Sequence, residues 1–337
     1  MTGRERVLRT LEFKTPDRIP YDAWILPGTF SKYGEKLDRL VEKYPVDIIQ
    51  ISGPSDHGFN PEYYQEGNFI DLWGCTWTNV QAGIIGEVKN PILADNSRLN
   101  GYKAPVDQFI KQWEESKKSI DKAIAEARNR GQFVLGGWIS LFERMQFLRG
   151  TEELFCDIAL KEGAVEKLAA IVMDFYRVYV DKWLECDTDG VAFGDDWGSQ
   201  ISTLISRADF RAFFKPCYQE LCGKIKKAGK KIFFHSDGWI FDFYDDLLDL
   251  EIDALNTQVW CIGIERVAEK LAGKLTIWGE LDRQYTMPSG TPDEVHREAK
   301  LLKNKFAASG GGFIGLGTVL ADVPLENAEA MFTAWNN

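Results

Sequence analysis

Lys231-Ile-Phe-Phe-His235-Ser-Asp237-Gly238 is the stretch that decides the fold. A short run, β-branched or aromatic in its apolar positions, stops abruptly at a histidine, a carboxylate and a glycine. Such a run is too short for a helix of its own and reads as a strand buried on both faces. The polar cluster at its end has nothing to pack with in a core. Its place is where a parallel sheet meets its loops, and there open α/β sheets and barrels bind ligands. The chain has three histidines, His57, His235 and His296, so one at this position carries weight.

Working outward, the same pattern recurs. Candidate strands are Arg18–Trp24, Val46–Ser52, Gln132–Gly137, Gly190–Gly194, Lys231–His235, Asp253–Thr257, Leu275–Gly279 and Gly312–Gly317. Between them lie amphipathic stretches at Phe109–Asn129, Thr151–Glu185, Arg207–Ala228, Gly263–Ala272 and Thr291–Ala308. Thr291-Pro292-Asp293-Glu294 reads as a helix start, with a capping residue, a proline and then acids. Alternating βα units predict a parallel sheet, and eight of them predict an α/β fold closed as a (β/α)8 TIM barrel. The 337 residues form one domain on this reading. The segment of roughly 54–103 breaks the alternation and is expected to be an insertion, partly β-hairpin, covering the barrel mouth.

Composition narrows the function. The net charge is -11, from 40 basic and 51 acidic residues, which argues against nucleic acid or an anionic membrane as partner. No apolar run is long enough to span a bilayer. Six cysteines, Cys75, Cys156, Cys186, Cys217, Cys222 and Cys261, include no Cys-x-x-Cys pair. The opening Met1-Thr-Gly-Arg-Glu-Arg is polar and lacks a signal-peptide core. A cytoplasmic protein with reduced thiols is expected.

If the runs are barrel strands, the residues after each converge on one mouth. These are Trp138, then Asp195-Asp196-Trp197, His235 with Asp237, Asn256 with Gln258 and Trp260, and Glu280 with Asp282. We expect His235, Asp237, Asp196, Asp195 and Glu280 to be catalytic. Trp138, Trp197, Trp239, Gln200 and Asn256 are expected to bind substrate. Plainer roles compete: one of the two aspartates caps a helix, Glu280 or Asp282 pairs with Arg283, and most tryptophans are core.

These motifs together resemble the uroporphyrinogen decarboxylase superfamily. The resemblance begins with Glu5-Arg6-Val-Leu-Arg-Thr-Leu, Pro16-Asp17-Arg18-Ile-Pro20 and Asp71-Leu-Trp73-Gly74. It continues in order through Phe142-Glu143-Arg144-Met-Gln146-Phe-Leu-Arg149-Gly150, Gly194-Asp195-Asp196-Trp-Gly-Ser-Gln200, His235-Ser-Asp237-Gly238 and Gly279-Glu280-Leu-Asp282.

The resemblance implies either a tetrapyrrole decarboxylase or a corrinoid-dependent methyltransferase. Where the decarboxylases carry Arg-Gln-Ala-Gly-Arg, this chain has Asp22-Ala-Trp-Ile-Leu-Pro-Gly28, without arginine. Where the methyltransferases serving coenzyme M carry His-x-Cys-Gly and a later cysteine, Asp237 replaces the first cysteine and Gly312–Thr318 holds none. Oxygen ligands beside a histidine suit a general acid or a hard Lewis acid acting on an ether. The expected function is therefore methyl transfer from a small methylated compound, an aryl methyl ether above all, to the cobalt of a corrinoid (cobalamin). That cofactor is expected on a partner corrinoid protein. Zinc held by His235, Asp237 and Glu280 is a further expectation, as is a homodimer. Two alternatives stay open: a decarboxylase of a tetrapyrrole or related acid, and a non-catalytic tetrapyrrole- or corrinoid-binding protein.

Overall fold

The computed structural model describes residues 1–54, 61–161, 163–308 and 310–336. His57 lies outside the described residues. All eight expected strands form: β1 Tyr21–Ile25, β2 Ile48–Ile51, β6 Phe133–Ile139, β7 Gly190–Gly194, β8 Lys231–Ser236, β9 Ala254–Thr257, β10 Thr276–Glu280 and β11 Phe313–Val319. They pair in parallel in the order β1-β11-β10-β9-β8-β7-β6-β2. This is a (β/α)8 barrel with one unladdered seam, between β1 and β2. Near its base the seam is bridged by Asp47. Its N–H donates to Tyr21 O at 3.0 Å, and its Oδ2 accepts from Tyr21 N at 2.9 Å. The same carboxylate holds Arg6 and Arg18, both at 2.6 Å.

The strands are apolar on both faces because both faces are covered. Outward residues such as Val191, Phe193, Ile232 and Phe234 pack in the main core under the helices. Inward residues Ile48, Phe133, Leu135, Phe233, Ala254, Trp278, Ile314 and Leu316 fill the barrel. The N-terminal helix Gly3–Leu11, started by a Thr2/Glu5 capping box, plugs the bottom with Val7 and Leu11. What remains open is the end where the strands finish.

The insertion contributes an antiparallel sheet of β3 Gly67–Ile70, β4 Thr76–Asn79 and β5 Glu87–Asn90. Asp71 anchors it. Its carboxylate accepts from Trp73 N at 3.0 Å, Cys75 N at 2.8 Å, Trp77 Nε1 at 3.1 Å and Arg144 Nη1 at 2.7 Å. The Asp71–Arg144 pair is buried and fully hydrogen-bonded on the acid side, so removing one partner would strand a charge. It ties the insertion to the helix Leu141–Arg149 that follows β6.

Two helical expectations need correction. The stretch 151–185 is two helices, Thr151–Leu160 and Ala164–Leu184, divided where Lys161 and Gly163 take positive φ. The stretch 207–228 is interrupted by a π-helical turn at Phe210–Phe214, which lets three phenylalanines, Phe210, Phe213 and Phe214, reach the core. Among the described residues, no helix is long and apolar enough to cross a membrane.

Candidate active site at the barrel mouth

Position along a strand decides which side chains reach the barrel interior. Successive side chains of a strand alternate between faces. On β8, Phe233 and His235 therefore share the inner face. On β9, Ala254 and Asn256 do. On β10, Trp278 and Glu280 do, and on β1, Asp22 and Trp24. On β6 the alternation is broken on purpose. The register shifts between Gly136 and Trp138, with Gly137 at φ 69°, and this bulge turns Trp138 inward. Gly194 on β7 leaves room for it: a Cβ there would collide with the Trp138 ring.

His235 is the centre. Its Nδ1 lies 2.5 Å from Asn256 Oδ1, and Asn256 Nδ2 donates to Trp278 O at 2.6 Å. Its Nε2 lies 3.5 Å from Asp196 Oδ1 and 3.6 Å from Asp237 Oδ1. Asp196 also accepts from Asp237 N at 2.9 Å. The loops carrying the two aspartates touch backbone to backbone at Gly198 and Gly238, where any side chain would clash, and Trp239 N donates to Ser199 O at 2.7 Å.

The charges follow from this packing. Burial pulls the imidazole down, but Asp196 and Asp237 outweigh it and raise His235 to about 9. Burial pushes Asp196 up, but its bond to and charge from His235, with the Asp237 N–H, hold it below the usual range. Arg283 Nη2 donates to Asp237 Oδ2. Asp237 Oδ1 is buried and has no hydrogen-bond partner.

Asp196, His235 and Asp237 each offer one donor atom, and these atoms lie within 4.8 Å of one another. One imidazole nitrogen and two carboxylate oxygens suit a divalent ion such as zinc. The orphaned Asp237 oxygen is the atom such an ion would satisfy.

A cavity of about 690 Å³ opens beside this cluster. Trp24, Trp138, Tyr64, Glu143, Asp22, Asp196 and His235 line it. Trp24 packs edge-on against His235, with ring centroids 5.0 Å apart, and Trp138 lies 5.8 Å from the same imidazole. Pro61 and Tyr64 bring the insertion to the cavity wall. Burial, with Asp196 and Asp195 nearby, pushes Glu143 well above the ordinary carboxylic acid range.

The sequence profile of the family described as uroporphyrinogen decarboxylase (URO-D) matches residues 72–337. The chain belongs to the uroporphyrinogen decarboxylase family. Among solved structures, a methyltransferase from Methanosarcina mazei shares the fold, with a TM-score of 0.76 at 16% identity over 100% of this chain and 98% of that one. A D-psicose 3-epimerase gives 0.44 at 10% identity over 93% and 86%. A search of curated protein sequences finds no match.

In this family member the structure gathers His235, Asp237 and Asp196 at one point and sets Trp138 beside them. Other expected site residues lie elsewhere. Asp195 is fully buried and points away from the cavity. It accepts from Leu141 N at 2.7 Å, Glu143 N at 2.9 Å and Tyr218 Oη at 2.5 Å, so it caps the helix Leu141–Arg149 from a neighbouring strand. Burial pushes its carboxyl up to about 7.

Glu280 faces the barrel but is not part of the Asp196–His235–Asp237 group of candidate ligand atoms. Arg283 Nε lies 3.7 Å from it, and Thr318 Oγ1 donates to it at 3.4 Å. Burial raises Glu280 to about 7. Trp197 is core, stacked on Phe142 at 3.9 Å. Trp239 packs under Arg266, 5.0 Å from its ring, away from the cavity. Gln200 is exposed and offers only its carbonyl, to Cys261 Sγ at 3.0 Å. Asn256 holds His235 and does not line the cavity.

Among the cavity residues that the sequence reading missed are Trp24, Glu143 and Asp22. Strand alternation would have found Trp24 and Asp22 once the inner face of β1 was known.

Proposed function

We propose that this protein is a methyltransferase. It takes the methyl group of a small methylated compound, best an aryl methyl ether, and passes it to the cobalt of a corrinoid carried by a partner protein. The observation that carries this reading is the cavity itself: tryptophan walls that end on the His235–Asp196–Asp237 cluster. A cavity of about 690 Å³ is large enough for an aromatic ring with substituents. Trp24 and Trp138 supply apolar and edge contacts for such a ring.

Breaking an aryl–O–CH₃ bond leaves a phenolate oxygen that needs a proton or a positive charge. Glu143 lines the cavity, and burial with the nearby charge of Asp196 opposes its ionisation and favours the protonated form. It is placed to give that proton to the leaving oxygen. His235, held by Asn256, presents Nε2 to the same space. A divalent ion held by His235 Nε2, Asp196 Oδ1 and Asp237 Oδ1 would polarise the ether oxygen as a Lewis acid. Trp24, Trp138 and Tyr64 give the cavity aromatic walls beside the reacting end. A corrinoid protein would meet the barrel at this mouth, the end where barrel enzymes keep their chemistry.

The family name also covers decarboxylation of tetrapyrrole acids. Among the described residues lining the cavity there is no lysine or arginine to receive a polycarboxylate, which favours methyl transfer. The test is a panel of aryl methyl ethers incubated with the protein and a reduced corrinoid protein. Demethylation that depends on the corrinoid protein is expected. Demethylation without corrinoid, or carbon dioxide release from a tetrapyrrole acid with no methyl transfer, would overturn the assignment.

A further inference from the structure

The cavity is lined by Asp22, Ala23, Trp24 and Ile25 on β1 and by Ile48, Ile49 and Gln50 on β2. Consecutive residues of a strand point to opposite faces. A cavity that touches several in a row on both strands must run along their facing edges. It therefore occupies the unladdered seam and reaches from the mouth down into the barrel wall. At the mouth end stand His235, Asp196 and Glu143. Along the seam, one inward position below Trp24, stands Asp22.

Asp22 is buried, and its Oδ1 accepts from Ala23 N at 2.8 Å. Its carboxyl also lies against the indoles of Trp24 and Trp278. Neither contact provides a counter-charge. The described lining carries three acids, Asp22, Glu143 and Asp196, one histidine and no lysine or arginine. The charge of His235 is already met by Asp196 and Asp237. Arg283, the nearest guanidinium to the cluster, is engaged by Asp237 and Glu280.

We propose that the cavity selects uncharged aromatic methyl donors and that Asp22 contacts the ring substituent remote from the methyl group, a hydroxyl and not a carboxylate. The inference rests on the methyl-ether reading above and names its substrate class. With the methyl group at the cluster and the ring against Trp24 and Trp138, the far side of the ring points along the seam toward Asp22. A hydroxyl there can both donate to and accept from a carboxyl group. Burial raises Asp22 to about 7, so both forms are present at neutral pH and the pairing holds in either. A carboxylate there would be a second anion buried without a partner, which is strongly disfavoured.

Three rings that differ only at the remote position separate these cases: 4-methoxyphenol, methoxybenzene and 4-methoxybenzoate. Their binding to the full chain is measured by titration calorimetry, with no corrinoid and no turnover. Loss of methyl transfer in a separate assay would thus strike the function above and leave this test standing. We expect 4-methoxyphenol to bind best and 4-methoxybenzoate to bind weaker by on the order of a hundredfold. Asp22→Leu is expected to weaken 4-methoxyphenol about tenfold and to leave methoxybenzene unchanged. Asp22→Asn, which keeps a donor and an acceptor, is expected to retain most of the affinity. The inference is overturned if 4-methoxybenzoate binds as well as 4-methoxyphenol or if no ring binds. It is also overturned if Asp22→Leu weakens methoxybenzene as much as 4-methoxyphenol.

Discussion

Asn256 leaves His235 a single tautomer. The Asn256 amide nitrogen is committed to Trp278 O at 2.6 Å, so its Oδ1, 2.5 Å from His235 Nδ1, can only accept. Nδ1 carries the hydrogen and Nε2 is turned to Asp196 and Asp237. A partner of this kind typically governs metal affinity by about 10–100-fold. Asn256→Leu should weaken zinc binding by that amount, and Asn256→Asp, which keeps the acceptor, should restore most of it. Competition with a chromophoric chelator reads both. Equal zinc affinity in all three proteins would remove Asn256 from this role.

The same imidazole predicts a pH dependence. Burial lowers its affinity for a proton, but Asp196 and Asp237 raise it by more, to about 9. Below that value Nε2 holds a proton that a metal must displace. Zinc affinity should therefore rise about tenfold per pH unit from 7 towards 9 and flatten above. For the metal-free chain the sign of the stability effect is opposite. A group with a raised folded pKa stabilises fully below its unfolded value, about 6.5, and loses this as pH passes 9. The melting temperature of the metal-free protein should fall over that window, and His235→Gln should abolish both trends.

Gly194 and Trp138 are predicted to be coupled. A Cβ on residue 194 would meet the indole of Trp138. Gly194→Ala must push that ring towards His235 and into the cavity. A stability loss of about 1–3 kcal/mol is expected from the overpacking. Loss of aromatic ligand binding should accompany it, out of proportion to the melting shift. Ligand affinity unchanged in Gly194→Ala would mean that Trp138 is not a cavity wall.

How far the sequence discloses this site depends on which signal each residue leaves. The eight strands are short, mostly apolar runs, and most are closed by glycine, proline or an acid, so their number and order can be read directly. The His235–Asp237 pair is visible because it ends such a run. The inner and outer faces are not visible, because a strand covered on both sides shows no polar alternation. Asp195 and Asp196 therefore look equivalent, although Ala192, Gly194 and Asp196 share one parity and Val191, Phe193 and Asp195 the other. Trp197, on the outer parity, goes to the core for the same reason.

Trp138 faces inward only because of the bulge at Gly137, which no periodicity announces. Glu143 sits in the first turn of a helix, where acids are common for reasons of dipole alone. The Glu280–Arg283 pairing was readable as a plain alternative, and the geometry favours it over a ligand role.

The two neighbouring aspartates give the sharpest contrast. Asp195 accepts hydrogen bonds from two backbone N–H groups and from Tyr218, all buried. Asp195→Ala strands those donors without water, and a stability loss of about 2–3 kcal/mol is expected. Metal affinity should fall only as far as the shifted helix disturbs the site. Asp196 is partly exposed and accepts one backbone N–H, that of Asp237. Asp196→Ala should cost about 1 kcal/mol or less. It should also remove a ligand atom, lowering zinc affinity far more than Asp195→Ala does. Denaturant melts and zinc competition on the two variants make the comparison. If Asp195→Ala loses zinc binding while keeping its stability, and Asp196→Ala does the reverse, the inward and outward assignments of β7 are exchanged and the cluster described here is not the functional centre.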